Sequence, residues 1–145
     1  MSPSDRPPAP SQPPMSDAER EVLKVLWDHG PMGVREMLAT LTDLGQDWTR
    51  STVVTLLRRL ESKGYIKSDQ SGYAFVYSPR VSREDVMHAR MTELAGELAD
   101  GEAVPLMLAF AERHRFAPEE LARLQQMIDE LRHKERGGRG KRGAK

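Results

Sequence analysis

Ser51, Thr55, Arg58 and Ser62 follow one another at intervals of four, three and four residues, the spacing of one helix face. Arg59 lies on its flank, and Arg50 and Thr52 stand beside it near the start of the same stretch. The face carries no acid, whereas a solvated helix usually displays mixed Glu and Lys. Such a set binds rather than reacts. Small hydroxyls let a helix sit deep in a major groove, and an arginine forks onto guanine or phosphate. The alternative is an ordinary amphipathic helix that happens to be basic, and this helix alone leaves both readings open.

The element that must hold these residues runs from Trp48 to Gly64, W-T-R-S-T-V-V-T-L-L-R-R-L-E-S-K-G. Thr49 can cap its start, and Gly64 supplies the left-handed residue that ends many helices. Val53, Leu56, Leu57 and Leu60 form its apolar stripe. Upstream, Ser16 and Glu19 make a capping box for a helix through Val22, Leu23, Leu26 and Trp27 that stops at His29-Gly30-Pro31. A short second helix, Val34 to Leu41, is apolar at Val34, Met37, Leu38 and Leu41. Three short helices, the last with a basic outer face, form the trihelical unit of helix-turn-helix proteins.

After Gly64 the period becomes extended. Tyr65 to Ser68 reads as a strand, Asp69 to Gly72 as a turn and Tyr73 to Tyr77 as its antiparallel return. A lone hairpin is marginal, so it must lean on the helices. Three helices and a hairpin in this order form a winged helix-turn-helix; the competing reading is a small structural α+β domain without a ligand.

Pro79 ends the hairpin, and Ser82 with Asp85 caps a helix expected to bury Met87, Met91, Leu94 and Leu98 before Asp100-Gly101. A second helix from about Ala103 to His114 carries Val104, Leu108 and Phe110. A third starts after Ala117-Pro118, with Glu119 and Glu120 at its positive end. Its stripe of Leu121, Leu124, Ile128 and Leu131 is a short heptad seam. One hairpin can hardly cover three apolar faces, so homodimerisation through Met91, Leu94, Leu98 and the seam is expected. An intramolecular three-helix bundle is the alternative.

With 145 residues, the chain divides into a Pro-rich tail (1–15), a winged-helix DNA-binding domain (16–80), a helical dimerisation domain (81–132) and a basic tail (133–145), both tails expected to be disordered. The fold class is therefore mainly α with a small β-hairpin. Twenty-two basic and 22 acidic residues cancel overall, but their placement is uneven. From Thr49 to Lys67, Arg50, Arg58, Arg59, Lys63 and Lys67 face Glu61 alone, whereas Ser82 to Glu130 holds eleven acids and five bases. A cationic first half can bind a polyanion while the acidic half binds something else. The basic tail either adds loose affinity for DNA or is a solvated end. Without cysteine there are no disulfides, thiol chemistry or thiolate metal sites. No apolar run reaches the length of a membrane span and no signal-peptide core opens the chain, so a cytoplasmic protein without direct membrane insertion is expected.

Catalytic signatures are missing. His29, His88, His114 and His133 fit no metal spacing, and no nucleophile elbow, phosphate loop or dinucleotide fingerprint occurs. Neither an enzyme nor a cofactor or metal is expected.

Four stretches carry a family resemblance: A-E-R-E-V-L-K-V-L-W at Ala18 to Trp27, W-T-R-S-T-V-V-T-L-L-R-R-L at Trp48 to Leu60, K-G-Y-I at Lys63 to Ile66, and Y-S-P-R-V-S-R-E-D at Tyr77 to Asp85. Together, over Ser16 to Leu131, the chain resembles the penicillinase-repressor family of bacterial transcription regulators, the BlaI/MecI type. The resemblance implies a winged-helix homodimer that sits on a palindromic operator and blocks transcription, commonly of β-lactam-resistance genes. It also implies relief of repression when a membrane sensor protease, or a protease it activates, cuts the dimerisation domain. In staphylococcal members that cut lies between Asn and Phe; Ala109 and Phe110 match those positions, with Ala in place of Asn. The staphylococcal type also carries a basic residue where this chain has Val54. A copper-responsive branch has a C-terminal cysteine cluster, which a cysteine-free chain lacks.

The sequence therefore reads as a homodimeric repressor of double-stranded DNA. Ser51, Thr55 and Arg58 would meet base edges, with Val54 near a thymine methyl. Arg50, Arg59, Lys63 and Lys67 would hold phosphates, and the Asp69–Tyr73 wing, with Tyr73, would follow the neighbouring backbone. The runner-up is a winged-helix protein-interaction module; a ligand-gated regulator is a third reading.

Overall fold

The computed structural model describes residues 12–143; most of the Pro-rich tail and the last two residues lie outside the described residues. In order come α1 (Asp17–His29), α2 (Val34–Asp43), α3 (Arg50–Ser62), β1 (Ile66–Ser71), β2 (Ala74–Pro79), α4 (Arg83–Leu98), α5 (Ala103–Arg113) and α6 (Pro118–Gly143). The chain forms two compact units that divide between Gly101 and Glu102.

In the first unit Ser16 and Thr49 cap their helices as expected. The capping box expected at Ser16 is only half formed, because the Glu19 carboxylate takes the Ser16 hydroxyl and Lys63 instead of the Ser16 amide. The Ser16 hydroxyl accepts the Glu19 amide at 3.1 Å, and Thr49 accepts the Thr52 amide at 3.2 Å. Gly64 turns left-handed at φ 88°, which lets the Tyr65 amide return to the Leu60 carbonyl at 3.0 Å and closes α3. Val22, Leu23 and Leu26 of α1, Met37 and Leu41 of α2, and Val53, Leu57 and Leu60 of α3 are fully buried together with Ile66. Burying such side chains contributes about 1.5–3 kcal/mol each, so this cluster is what holds the three helices together.

β1 and β2 pair antiparallel from Ile66↔Pro79 to Ser71↔Ala74. The strands are longer than expected and the turn shorter. The ladder takes in Asp69 to Ser71, and only Gly72 and Tyr73 reverse the chain, because Gly72 at φ 68° suits a two-residue hairpin turn. The hairpin also gains a third, one-residue partner. Met32 and Tyr77 exchange both backbone hydrogen bonds, at 3.1 and 2.9 Å, which ties the wing to the α1–α2 connection.

Residues 12–15, part of the tail by composition, lie against the connection between α3 and β1. The Pro14 carbonyl accepts from Lys63 Nζ at 2.9 Å, the Pro13 carbonyl from the Tyr65 hydroxyl at 2.7 Å, and Met15 is buried. Proline lacks a donor but keeps its acceptor, so these two carbonyls, with the Gln12 side chain donating to the Gly64 carbonyl at 3.3 Å and the buried Met15, fasten the segment.

α4 begins with the expected reciprocal capping box of Ser82 and Asp85. Its Met87, Met91, Leu94 and Leu98 are exposed in the single chain; Ala95 alone is buried in this helix. The second unit holds α5 and α6. The Ala117 amide donates to Glu120 at 2.9 Å, closing the start of α6. α6 continues to Gly143, past Arg132 where sequence reading ended the ordered chain. Glu130 precedes Lys134 by four residues, a spacing that favours the helix.

Candidate nucleic-acid interface

α3 presents Arg50, Ser51, Thr52, Thr55, Arg58 and Arg59 to solvent, while Val54 is half-buried at the margin of the apolar stripe. The hydroxyls on this face are not equivalent. The Thr55 hydroxyl donates to the Ser51 carbonyl at 3.0 Å, so outward it offers lone pairs and a methyl group. The Thr52 hydroxyl lies 3.1 Å from that of Thr49 at the cap.

The face stays free of acid because Glu61 is turned aside. Its Oε2 accepts the Ser68 amide at 2.9 Å and the Ser68 hydroxyl at 2.6 Å, which fixes the base of the wing to the end of α3. In the sequence Glu61 shows only as a charge, and the one local signal of this contact is its spacing of seven residues from Ser68.

Lys63 departs from its expected role. Its ammonium is held by both oxygens of Glu19, at 2.9 and 2.7 Å, and by the Pro14 carbonyl. The side chain is 25% exposed and that of Glu19 3%. A buried carboxylate needs this cation, so Lys63 spends its charge inside the unit rather than on phosphate. Lys67 on β1 is exposed, as is Tyr73 at the hairpin turn. Phe75 is also exposed, an apolar wing residue that sequence reading did not single out.

The structure therefore brings Arg50, Ser51, Thr52, Thr55, Arg58 and Arg59 onto one outward helix surface and sets Lys63 apart from it. Elsewhere, Leu121, Leu124, Ile128 and Leu131 of α6 are exposed, as are Ala109 and Phe110 of α5. The Phe110 ring stacks on His114 with centroids 4.9 Å apart, and His114 meets Phe116 edge-on at 4.5 Å. No helix among the described residues is long and apolar enough to cross a membrane. No group of three or more metal-ligating side chains occurs among them either.

Three helices, a wing and an acid-free outer face on the third helix define a winged helix-turn-helix DNA-binding transcription regulator. The Penicillinase repressor family model matches residues 15–130, and the chain belongs to that family, whose members are repressors rather than enzymes. It is 32% identical over 124 residues to the penicillinase repressor of Bacillus licheniformis, covering 86% of this chain and 94% of the relative. It is 24% identical over 115 residues to the methicillin resistance regulatory protein MecI of Staphylococcus aureus strain N315, covering 79% and 93%. Among solved structures it is similar to the solution structure of the DNA binding domain of the repressor BlaI, at 36% identity and a TM-score of 0.46, over 51% of this chain and 89% of that one.

Proposed function

We propose that the protein is a homodimeric repressor of a palindromic operator, acting in the cytoplasm on β-lactam-resistance or cell-wall-stress genes. The observation that carries this reading is the acid-free outward surface of α3, where Ser51, Thr55 and Arg58 lie between Arg50 and Arg59. With α3 in the major groove, Arg58 reads a guanine, Ser51 and Thr55 meet base edges, and Val54 touches a thymine methyl. Thr55, its proton committed to the Ser51 carbonyl, accepts from an amino group of adenine or cytosine. Arg50, Arg59 and Lys67 hold phosphates, Thr52 lies beside them, and Tyr73 carries the wing along the flanking backbone.

The second copy is the occupant of the exposed apolar residues Met91, Leu94 and Leu98 of α4 and of the Leu121–Leu131 seam. A monomer leaving so many large apolar side chains in water is unfavourable, and pairing them also joins two recognition helices into one binding unit. Repression ends when a membrane sensor protease, or one it activates, cuts α5 near Ala109 and Phe110.

Selection of bound duplexes from a random pool, followed by mobility shifts against bulk competitor, tests this reading. A recovered inverted repeat bound by two chains is the expected result. Failure to enrich any sequence would favour a protein-interaction module whose acidic Ser82–Glu130 half docks a partner.

A further inference from the structure

α4 leaves the winged helix through a joint made by four residues. The Trp27 indole donates to the Val81 carbonyl at 2.9 Å, and Arg83 Nη2 lies 2.7 Å from Asp28 Oδ1. The same guanidinium sits over the Trp27 ring, 5.3 Å from its centroid. Val81 and Val86 pack on the core, but beyond this first turn the large apolar residues of α4, Met87, Met91, Leu94 and Leu98, face solvent and only Ala95 is buried. Trp27 and Asp28 close α1, and Arg83 opens α4, so the contacts join the end of one helix to the start of another. None belongs to the outward face of α3.

Arg83 and Asp28 are 41% and 51% exposed, and an ion pair so exposed adds little to stability. Its geometry is more telling than its strength. A single arginine is held at once by a carboxylate and an indole, while that indole grips the backbone two residues earlier. This arrangement fixes direction. α4 has 16 residues, about 24 Å of helix, so a tilt of about 10° at its base moves its far end by about 4 Å. That exceeds the axial rise of one base pair, about 3.4 Å.

We propose that Arg83, clamped by Asp28 and Trp27, is a positioning residue that fixes the exit angle of α4 and thereby the half-site spacing the repressor accepts. The inference rests on the dimeric-repressor reading. In a dimer joined through the exposed residues of α4 and the α6 seam, the two recognition helices lie at opposite ends of two such joints, so the angle at which each α4 leaves sets their separation. A loose joint lets one dimer fit several spacings; a locked one fits a single spacing.

The test uses the full chain and synthetic duplexes carrying the half-site selected by the wild-type protein. One duplex holds a single half-site, and the others hold two with the natural spacer or one changed by one or two base pairs. Wild type is expected to lose about tenfold or more in affinity when the spacer changes. Arg83→Gln should bind the single half-site within about twofold of wild type, yet discriminate spacers less than about threefold. Exchanging the pair, Arg83→Asp with Asp28→Arg, should restore part of the discrimination, and Trp27→Phe, which keeps the ring but loses the indole donor, should lose part of it. A steep spacer dependence in Arg83→Gln, or equal losses on the half-site and on every palindrome, overturns the clamp alone. A wild-type chain indifferent to the spacer overturns the dimeric reading, and the clamp with it.

Discussion

Lys63 Nζ lies 2.7 Å from Glu19 Oε2, so the end of α3, the helix proposed to enter the groove, is pinned to the first turn of α1 by a largely buried ion pair. The Ser16 hydroxyl donates to the other oxygen of Glu19 at 3.0 Å, and the carboxylate is fully engaged. Removing the cation leaves this carboxylate buried and uncompensated. Lys63→Met is therefore expected to lower the unfolding free energy by about 2–4 kcal/mol, somewhat below the full cost of breaking a buried pair because the lysine keeps partial contact with water. Adding Glu19→Gln should recover part of it. Urea denaturation measures both, and the salt dependence of DNA binding should not change. An unchanged stability with a shallower salt slope would return Lys63 to the phosphates.

Arg58 and Lys67 should separate reading from holding. Arg58→Ala is expected to cost about 1–3 kcal/mol per half-site and to relax preference at one base position. Lys67→Ala should weaken every sequence alike and reduce the slope of log affinity against log salt by about one per half-site. Titrations at several salt concentrations on selected and scrambled duplexes decide it. Equal loss of specificity in the two variants would mean that another face of α3 enters the groove.

A fragment ending at Val81 keeps the core of α1, α2, α3 and the wing but loses every exposed apolar residue from Met87 onward. It is expected to sediment as a folded monomer and to bind the operator weakly. In the proposed dimer the loss would be that of the second half-site, whose recognition helix would lie about 34–36 Å away. A dimeric fragment with full affinity would show that the α4–α6 surfaces do not join the chains.

Tyr65 gives a pH dependence. Burial pushes its phenol above the ordinary value of 10.0; Arg90 opposes the shift, and the carboxylates of Glu93 and Glu19 add to it. The folded state thus favours the protonated phenol, which donates to the Pro13 carbonyl. With the folded value raised, this contribution is complete below pH about 10 and is lost as pH rises through the folded value. Tyr65→Phe should cost about 1 kcal/mol, constant between pH 7 and 9, with the gap to wild type closing in stronger alkali. A gap that already narrows across neutral pH would contradict the assignment.

The proposed proteolytic induction can be followed directly. A cut within Leu106 to Glu112 would sever the leucine seam of α6 from the DNA-binding half. The amides of α5 are bonded within the helix, so cleavage there requires local opening. Mass spectrometry of the protein from β-lactam-treated cells is expected to find termini in this window. An intact chain on an active promoter would exclude the route.

Much of the winged helix was legible in the sequence because its signals are local. Caps at Ser16, Thr49 and Ser82, the left-handed Gly64, and apolar residues at helical spacing each act within a few residues. The stripe of Val53, Leu56, Leu57 and Leu60 also determined which side of α3 faces outward, and with it the surface bearing Ser51, Thr55 and Arg58. What only the tertiary structure decided is where charges and carbonyls far apart in sequence meet. Lys63 and Glu19 are 44 residues apart, Tyr65 and Pro13 52, and Trp27 and Val81 54. Periodicity sorts residues into inside and outside, but a long lysine at the rim of a core can turn either way. Its direction is set by whether a desolvated carboxylate lies within reach, and here Glu19 does.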